Sequence, residues 1–527
     1  METMTLAPES TKQGARQRAN AGLVLLVVLT AAFAINLDGT IVNVALPSLN
    51  KQLGASTSSL QWVVDGYNLA FAALVLAGGN IGDRYGRRRT LVAGLGLFSA
   101  ASVVAAACNT IGELIATRFV MGAAAALIFP TTLSIITNTF PDRQQRAKAI
   151  GAWGGVTGLG VAVGPVAGGL LLDHFWWGSV FLALVPVALL AMVGAVLLIP
   201  ETIDTGRPAL DRFGLGLSVL GLGALVYSII EAPTYGWGST RTVGGLIAGV
   251  AVLGVFAIVE RRKVAPMLDV RLFANLRFSA ASGSVTVAFF ALYGFIFLIT
   301  QFMQELRGYS PLSTGVRILP VAICIAVGSL LGTQLAVRWG NKLVVSSGLL
   351  LLVASYCWIG VSPGGESYSL IVGQMILMGL GMGFTTAPAT ESIMGVVRPD
   401  QAGAGSAVND ATRELGGTLG VAVIGSVFAS LYGSHLSGAS VAGVPRQAVA
   451  AARSSFGAGL AVTNQLAHSG SPVASSLHSA VHSGFMAGLH FGCFTAAGVC
   501  LAGAIFVAAM LPSRPGKPVI EAAVTGA

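Results

Sequence analysis

Apolar runs long enough to cross a lipid bilayer recur along almost the whole chain of 527 residues. A helix needs roughly 20 predominantly apolar residues to cross the hydrocarbon core. Within lipid the backbone must satisfy its own hydrogen bonds, so only helices and closed barrels span membranes. The runs are continuous and do not alternate between apolar and polar residues, which favours helices. The sequence therefore predicts an all-α polytopic membrane protein.

The composition excludes several other classes of protein. Hydrophobic residues make up 54% of the chain and charged residues only 10%, whereas soluble domains carry about 25% charged residues. Secreted proteins, soluble enzymes and nucleic-acid-binding proteins are therefore set aside. The five cysteines lie in apolar segments without the spacing of metal ligands, so we predict neither disulfides nor a bound metal. Residues 1–20 are polar and basic, and the following apolar run is too long for a signal-peptide core.

Positively charged residues indicate how the spans cross the membrane. With the N-terminus in the cytoplasm, the loops on that side carry most of the 30 Lys and Arg residues, as the positive-inside rule requires. We therefore predict a multi-pass protein of the cytoplasmic membrane with both termini cytoplasmic. The fourteen predicted spans lie at about 21–47, 60–80, 90–108, 111–138, 148–172, 177–199, 213–232, 242–260, 277–305, 313–336, 342–361, 367–393, 402–433 and 483–511.

The charged segments 200–212 and 261–276 bracket the seventh and eighth spans, which leaves six spans on either side. Transporters commonly have such halves, with the binding site between them.

The outer loop 434–482 is rich in Ser, Ala, Gly and His. His478 and His482 are four residues apart but have no acidic or Cys neighbour, so we predict a surface loop without a metal site. The predicted units are a cytoplasmic tail 1–20, a six-helix bundle 21–199, two inserted helices 200–276, a six-helix bundle 277–511 and a cytoplasmic tail 512–527.

Four carboxylates lie inside predicted spans, namely those of Asp38, Asp65, Asp410 and Glu414. An ionised side chain at bilayer depth costs about 2.5–3.5 kcal/mol on insertion scales, so such an acid usually has a function or a fixed partner. A buried carboxylate holds its proton more tightly than one in water, and a nearby cation favours release of that proton. A proton and a cation can thus compete for one site, which is the requirement for antiport.

Helical spacing suggests how these acids are arranged. Asp38, Asp65 and Arg118 lie at similar depth, so an interaction between Arg118 and Asp38 is expected, with Arg118 either structural or involved in proton transfer. Asp410 and Glu414 share a helix face. Arg413 could neutralise Asp410, so that acid either titrates or has a structural role. Several aromatic residues could line a cavity and contact a cation, although individually each is more often simple packing: Trp62, Tyr67, Phe290, Tyr293 and Phe297.

The loop after the second span reads Gly-Asn-Ile-Gly-Asp-Arg-Tyr-Gly-Arg-Arg-Arg over residues 79–89. It could be an ordinary basic cytoplasmic loop, but it resembles the signature loop of the major facilitator superfamily. The resemblance implies a fold of two six-helix bundles plus two inserted helices. It also implies that Asp83 and Arg87 belong to a charge network that latches the two halves, with Arg84 and Gly86 in the loop and Asp142 as the partner of Arg87. A degenerate copy of the loop at 335–342 supports a duplicated half.

Other motifs resemble the fourteen-span drug–proton antiporters of that superfamily, including the quaternary-ammonium exporters. The fifth span reads Gly-Val-Ala-Val-Gly-Pro-Val-Ala-Gly-Gly over 160–169 and resembles their antiporter motif. Small residues at Gly164, Gly168 and Gly169 allow close helix contact, and Pro165 permits a bend. The segments 37–47 and 308–312 are also typical of this group. The resemblance implies that Arg118 assists proton transfer, although Met121 replaces the family's Gln, and Asp65 resembles an acid of members that accept divalent organic cations.

We therefore predict a proton-coupled antiporter that exports amphipathic, cationic drugs or biocides. It would use the proton-motive force without a cofactor, and it would be monomeric in the bilayer. An exporter of one antibiotic, natural product or lipid is the alternative; an enzyme is not expected, because no nucleophile–base constellation or phosphate loop is found, and a non-transporting sensor or scaffold is a further alternative. Proton coupling is assigned to Asp38, Arg118, Asp410 and Glu414, and substrate binding to Asp65, Trp62, Tyr67, Tyr293 and Glu414.

Overall fold

The computed structural model describes residues 9–203, 210–263, 266–396, 402–437 and 443–512, without the side chains of 9–20, 143 and 402–404. This part of the chain is built from helices. They are α1 (Glu9–Leu53), α2 (Thr57–Tyr85), α3 (Arg87–Ala106), α4 (Ile111–Thr139), α5 (Arg143–His174), α6 (Ser179–Leu182), α7 (Leu184–Leu198), α8 (Arg212–Ile230), α9 (Ala232–Tyr235), α10 (Thr240–Arg262), α11 (Leu276–Gln301), α12 (Pro311–Trp339), α13 (Asn341–Gly360), α14 (Tyr368–Met394), α15 (Ala402–His435), α16 (Arg446–Ser454), α17 (Phe456–His468) and α18 (Ala474–Met510).

Within the described residues, fourteen segments are helical, long and apolar enough to cross a membrane, as the sequence predicted. The short α6 and α7 together form one of them, Ser179–Leu198. Helix α1 begins inside the predicted tail, and its apolar part starts at Ala21. Residues 513–527 of the predicted C-terminal tail lie outside the described part of the chain. The proposed domain boundaries stay predictions.

The segment 434–482, which the sequence predicted to be a surface loop, is largely helical, so that prediction is wrong. It contains α16 and α17, and the last span begins earlier than predicted, at Ala474. Helix α17 forms because its small residues and Phe456 bury against α18 and the Tyr432 ring, a tertiary contact that the Ser- and Gly-rich sequence hides. His478 and His482 are exposed on the first turns of α18. No group of three metal-binding side chains occurs among the residues that the structure describes.

Local sequence signals set where the helices begin. Thr110 and Glu113 form a reciprocal capping box at the start of α4. Asp142 caps α5 by accepting a hydrogen bond from the Gln145 amide at 2.9 Å. Ser310 caps α12, whose first residue, Pro311, needs no hydrogen-bond donor there. These caps satisfy amide groups that have no partner within the helix.

The helices α1–α7 form one packed half and α11–α18 form another. In the first half, α2 packs on α4, and α1 packs on α5 and α7. In the second, α11 packs on α15, α12 on α14, and α13 on α14 and α18. Several crossings depend on glycine: a Cβ at Gly122 would overlap the Tyr67 carbonyl, and one at Gly78 would overlap the Ala126 carbonyl. Such close approach increases the van der Waals contact between helices, which matters because the hydrophobic driving force for helix association is weak in lipid.

The two halves meet at the end of the molecule where α2, α4, α12 and α14 begin. We call this contact the seam. It joins α2 to α15, α5 to α12 and α1 to α11. Gln61 Nε2 donates to the carbonyls of Val421 and Ala422, each at 3.0 Å, and Gln304 Nε2 donates to the Val44 carbonyl at 2.9 Å. Two amide side chains therefore bind the backbone of the opposite half.

The pair α8 and α10 lies outside the two halves. The two helices pack on each other, and α8 also contacts α2 and α15. This contact is a buried apolar cluster of Leu69, Val226, Ile229, Ile230 and Ala422. Helix α8 therefore lies across one edge of the seam, while much of α10 faces away from the rest of the protein.

Candidate functional site

Asp38 on α1 and Arg118 on α4 form a buried ion pair, as the sequence led us to expect. Arg118 Nη1 lies 2.8 Å from both carboxylate oxygens of Asp38, and the side chains are 1% and 0% exposed. Arg118 Nε donates to the Val63 carbonyl on α2 at 2.9 Å. The guanidinium lies 4.4 Å from the centre of the Tyr67 ring. Arg118 thus connects three helices, and Met121 Sδ, where the family has Gln, lies 3.9 Å from Nη1.

A cavity lies between the two halves next to this ion pair. The first half contributes Tyr67, and the second contributes Tyr293 and Glu414, three of the predicted substrate-binding residues. Because Arg118 stacks on the Tyr67 ring, the Asp38–Arg118 pair lies directly behind the cavity wall. The complete lining is Ile35, Asn36, Gly39, Tyr67, Phe71, Phe129, Tyr293, Asp410, Arg413 and Glu414.

The two acids on α15 have different surroundings in this cavity. Arg413 Nη1 lies 3.8 Å from Asp410 Oδ1, at the limit of an ion pair, and Asp410 Oδ2 has no hydrogen-bond partner. The Arg413 guanidinium stacks on the Phe289 ring, 4.6 Å from its centre. The Glu414 carboxylate lines the cavity and forms no ion pair or hydrogen bond within the described part of the chain. Of the two acids on α15, Glu414 is therefore the one whose carboxylate lines the cavity without an ion pair.

Asp65 and Trp62 do not line the cavity in this conformation, and their assignment to substrate binding stays a prediction. Asp65 is fully buried elsewhere, and neither of its carboxylate oxygens has a hydrogen-bond partner. Trp62 Nε1 donates to Glu231 Oε1 at 3.2 Å, and its ring packs on Phe119 and Tyr227. These residues lie on different faces of α2. Tyr67 faces the cavity, Trp62 faces α4 and α8, and Asp65 lies one turn from Gln61, which binds α15.

Two of the other aromatic candidates are packing residues. Phe290 and Phe297 belong to the main apolar core and do not line the cavity. Phe290 lies where α11 crosses α15, since a Cβ at Gly420 would overlap its carbonyl oxygen. This was the alternative interpretation for each aromatic residue in the spans.

The signature loop contains a charge pair other than the predicted one. Arg87 Nη2 lies 2.8 Å from Asp83 Oδ1, which also accepts from Ser134 Oγ at 2.9 Å. The predicted pairing of Arg87 with Asp142 is not formed in this conformation, because Asp142 is exposed and caps α5 instead. Helix α2 ends at Tyr85 and α3 begins at Arg87, so Arg87 lies one turn from Asp83. The intervening Gly86 has φ 113°, a conformation that favours glycine, and Arg84 is exposed.

Sequence reasoning missed Glu201, which binds the start of α3. Its carboxylate accepts from the amides of Arg88 at 3.2 Å and Arg89 at 3.3 Å, and it lies near both guanidinium groups. A carboxylate at a helix N-terminus is stabilised by the unpaired amides and the helix dipole. Its position directly after the sixth span, beside a basic loop of the same side, was the available signal.

The small residues of the fifth span make the close contacts that the motif predicted. A Cβ at Gly164 would overlap Thr40 Oγ1, and one at Gly168 would lie 2.9 Å from Ile41 Cγ1. On the other side, a Cβ at Gly169 would lie 2.6 Å from the Pro311 carbonyl oxygen, and Gly315 packs on the Pro165 carbonyl. Helix α5 therefore touches α1 in its own half and α12 across the seam.

Comparison with known proteins agrees with this architecture. The model of the Major Facilitator Superfamily matches residues 28–421. In structure, the chain is similar to a bacterial homologue of the human lysosomal transporter Spinster in an inward-facing conformation, with a TM-score of 0.64 at 17% identity over 94% of this chain and 98% of that one.

Several curated relatives are named as resistance proteins. The multidrug resistance protein Stp of Mycobacterium tuberculosis is 34% identical over 77% of this chain and 76% of its own length. The puromycin resistance protein pur8 of Streptomyces alboniger is 37% identical, covering 78% of this chain and 82% of pur8. The methyl viologen resistance protein SmvA of Salmonella typhimurium is 32% identical, covering 84% and 89%. The chain has twelve of the fourteen apolar spans of its described residues in two packed halves with a polar cavity between them, and it belongs to the Major Facilitator Superfamily.

Proposed function

We propose that this protein is a proton-driven exporter of amphipathic, cationic drugs or biocides and acts as a monomer in the cytoplasmic membrane. The observation that carries the proposal is the Glu414 carboxylate: it lines a cavity shared by both halves and forms no ion pair within the described residues, while Arg413 in the same cavity lies at the limit of an ion pair with Asp410. A buried carboxylate without an ion pair favours either a proton or a cationic guest. The names of Stp, pur8 and SmvA support small-molecule export as the activity.

The cavity walls support a cationic, amphipathic guest. Phe71, Phe129, Tyr67 and Tyr293 offer aromatic surface near Glu414. Aromatic faces attract cations at about 0.5–2 kcal/mol per contact, and more when water is excluded. An apolar cation would thus bind rings with its body and the carboxylate with its charge. When a proton replaces it, the attraction of the carboxylate for the cation is lost.

The Asp38–Arg118 pair offers a route by which a second proton affects the same cavity. A proton on Asp38 would weaken its contact with Arg118, which would still be held by the Val63 carbonyl and the Tyr67 ring. Because Tyr67 forms part of the cavity wall, a shift of the guanidinium would move that wall. Asp38 is thus the coupling acid and Arg118 the group that transmits its protonation.

More than one acid suits the energetics of exporting a cation. Each charge that crosses a potential of 100 mV is worth about 2.3 kcal/mol. Export of a monovalent cation in exchange for one proton moves no net charge, so the voltage does not drive it. Export of a divalent cation is driven by the voltage only if more than two protons enter. Asp38, Asp410 and Glu414 together would provide that capacity within one region of the protein.

The location of the seam supports the interpretation that this conformation is the cargo-loading state, in which the cavity is closed to the outside. The positive-inside rule places the termini, and the end of the molecule opposite the seam, in the cytoplasm. The seam then closes the outer side. In this state the cavity would receive cargo from the cytoplasm, and export would require the seam to open.

Transport by purified protein in liposomes tests the proposal. With an imposed pH gradient, the wild type should move a cationic dye, and collapsing the gradient with a protonophore should stop transport. Glu414→Gln should reduce the initial rate by at least about tenfold, equivalent to ~1.4 kcal/mol. The matched control is Glu391→Gln, an exposed acid at the end of α14, which should transport normally. Transport by wild type that ignores the gradient, or by Glu414→Gln at the wild-type rate, contradicts the proposal.

The similarity to pur8 favours one narrower alternative, an exporter of a single antibiotic or natural product. A susceptibility panel in an exporter-deficient host separates the two. Resistance to several unrelated cationic dyes, biguanides and quaternary amines supports the broad cationic specificity. Resistance confined to one neutral or structurally specific antibiotic supports the alternative.

A further inference from the structure

Asp65 is a fully buried carboxylate in the seam. It lies on α2 between Gln61 and Leu69, one helical turn from each on the same face. Gln61 donates to the backbone of α15, and Leu69 packs against Ala422 of α15 and the apolar residues of α8. Asp65 therefore lies where α2, α8 and α15 meet, and both of its oxygens are without a hydrogen-bond partner.

Charged groups on the neighbouring helices are engaged elsewhere. Arg118 on α4 binds Asp38 on α1. Glu231, at the end of α8, accepts a hydrogen bond from Trp62. The charged residues of α15, which are Asp410, Arg413 and Glu414, face the cavity. Within the described ranges, none of these groups forms an ion pair or hydrogen bond with Asp65.

Such an environment distinguishes strongly between the two forms of a carboxyl group. A charged carboxylate without a donor or cation is very costly in an apolar site, whereas the protonated form loses much less on leaving water. Separation of α2 from α15 would remove this difference, because water would then solvate the charge. Closing the seam and protonating Asp65 are therefore linked events.

We propose that Asp65 must carry a proton for the seam to close, so that the acid acts as a proton-operated lock on the outer side. The proton comes from the outer solution when the seam is open and returns there when the seam opens again. Protonated Asp65 would thus favour the cargo-loading state without itself carrying net proton flux. This inference rests on the proposed function for its direction, but the lock is a property of the ligand-free protein.

Distances between two spin labels measure the seam directly. Asn109 precedes α4, and Ser369 is in the first turn of α14; both are exposed, at the seam end of opposite halves. Cysteines at these two positions, in a background with the five native cysteines replaced, would carry the labels. In ligand-free wild type, the distance should be short at acidic pH and should gain a longer population as the pH rises.

Three variants identify the responsible acid. Asp65→Asn, a neutral isostere, should keep mainly the short distance at pH values where the wild type opens, so most of the pH response should be lost. Any small remaining response would come from Asp38, Asp410 and Glu414. Asp65→Glu should retain the response, because it keeps a titratable acid. Glu231→Gln is the matched control, since it removes a paired carboxylate beside the same helix, and it should also retain the response.

The proposal is overturned if Asp65→Asn opens with rising pH to the same extent as the wild type, or if the wild-type distance does not depend on pH. The second outcome needs no variant, so it decides the matter even if Asp65→Asn fails to fold. The distance between the labels is measured without cargo and without a pH gradient, so it does not depend on whether the protein transports. A wild type that transports while Asp65→Asn keeps the pH-dependent distance refutes only the lock, whereas a wild type that does not transport refutes the proposed function whatever the labels report.

Discussion

Arg118 Nη1 lies at the same distance, 2.8 Å, from both carboxylate oxygens of Asp38, and the guanidinium stacks on the Tyr67 ring. The guanidinium of Arg118 thus contacts both its charge partner on α1 and a ring that faces the cavity. Removing one member of a buried pair leaves an uncompensated charge, which typically costs 3–5 kcal/mol. The same arrangement that makes the pair costly to break makes it sensitive to one proton.

Asp38→Asn should abolish gradient-driven export. The amide cannot lose or gain a proton, so Arg118 would no longer respond to the proton supply. The protein should still insert and purify as a monodisperse species, although with a lower thermal midpoint, because Arg118 loses its counter-charge. Dye transport in liposomes and thermal unfolding measure the two effects. Wild-type efflux by a well-expressed Asp38→Asn protein contradicts the assignment.

Gly164→Val should stop transport without preventing insertion. A side chain at this position would collide with Thr40 Oγ1, where α5 crosses α1. Gly158→Val, on the same helix, is the matched control because nothing lies within 4 Å of a Cβ at that position. Transport rates at equal expression provide the comparison. Equal rates for both variants would mean that the α1–α5 contact is dispensable.

Glu414→Gln should reduce resistance to bis-cationic compounds more than resistance to ethidium. Glu414 lines the cavity, so it can meet the second charge of such a cargo, whereas Asp65 lies in the seam. Asp65→Asn should therefore reduce resistance to both cargo classes to a similar extent. Inhibitory concentrations in an exporter-deficient host test this at matched expression. Equal losses for both cargo classes in Glu414→Gln would assign this acid to coupling alone.

Asp83→Ala should impair transport much more than Asp142→Ala does. Asp83 binds Arg87 and Ser134, so its loss disturbs the contact between α2, α3 and α4. Asp142 caps α5 from an exposed position, and loss of such a cap costs about 1 kcal/mol. Transport rates and thermal midpoints of the two variants make the comparison. A larger transport defect in Asp142→Ala would instead support the Arg87–Asp142 latch, formed in another conformation.

The sequence by itself determined the elements of this protein and the residues with functional chemistry. A membrane requires long apolar helices, so the fourteen spans could be read from composition along the chain. Charged residues are so costly at bilayer depth that Asp38, Arg118, Asp410 and Glu414 were conspicuous within their spans. Depth and helical spacing were enough to anticipate the Asp38–Arg118 pair and the shared face of Asp410 and Glu414.

Only the tertiary structure decided which of these groups meet. Tyr67 faces the cavity while Asp65, two residues earlier, faces α8 and α15, because the packing of three helices sets the rotation of α2. Arg87 pairs with Asp83 because a break at Gly86 places the next helix one turn away, and Asp142 is used as a cap. Helix α17 is stabilised by burial of Phe456 against Tyr432 of α15 and Phe485 of α18, contacts that lie more than 20 residues apart in the chain. Helix rotation and long-range burial depend on neighbouring surfaces, and a periodic pattern in one segment does not contain them.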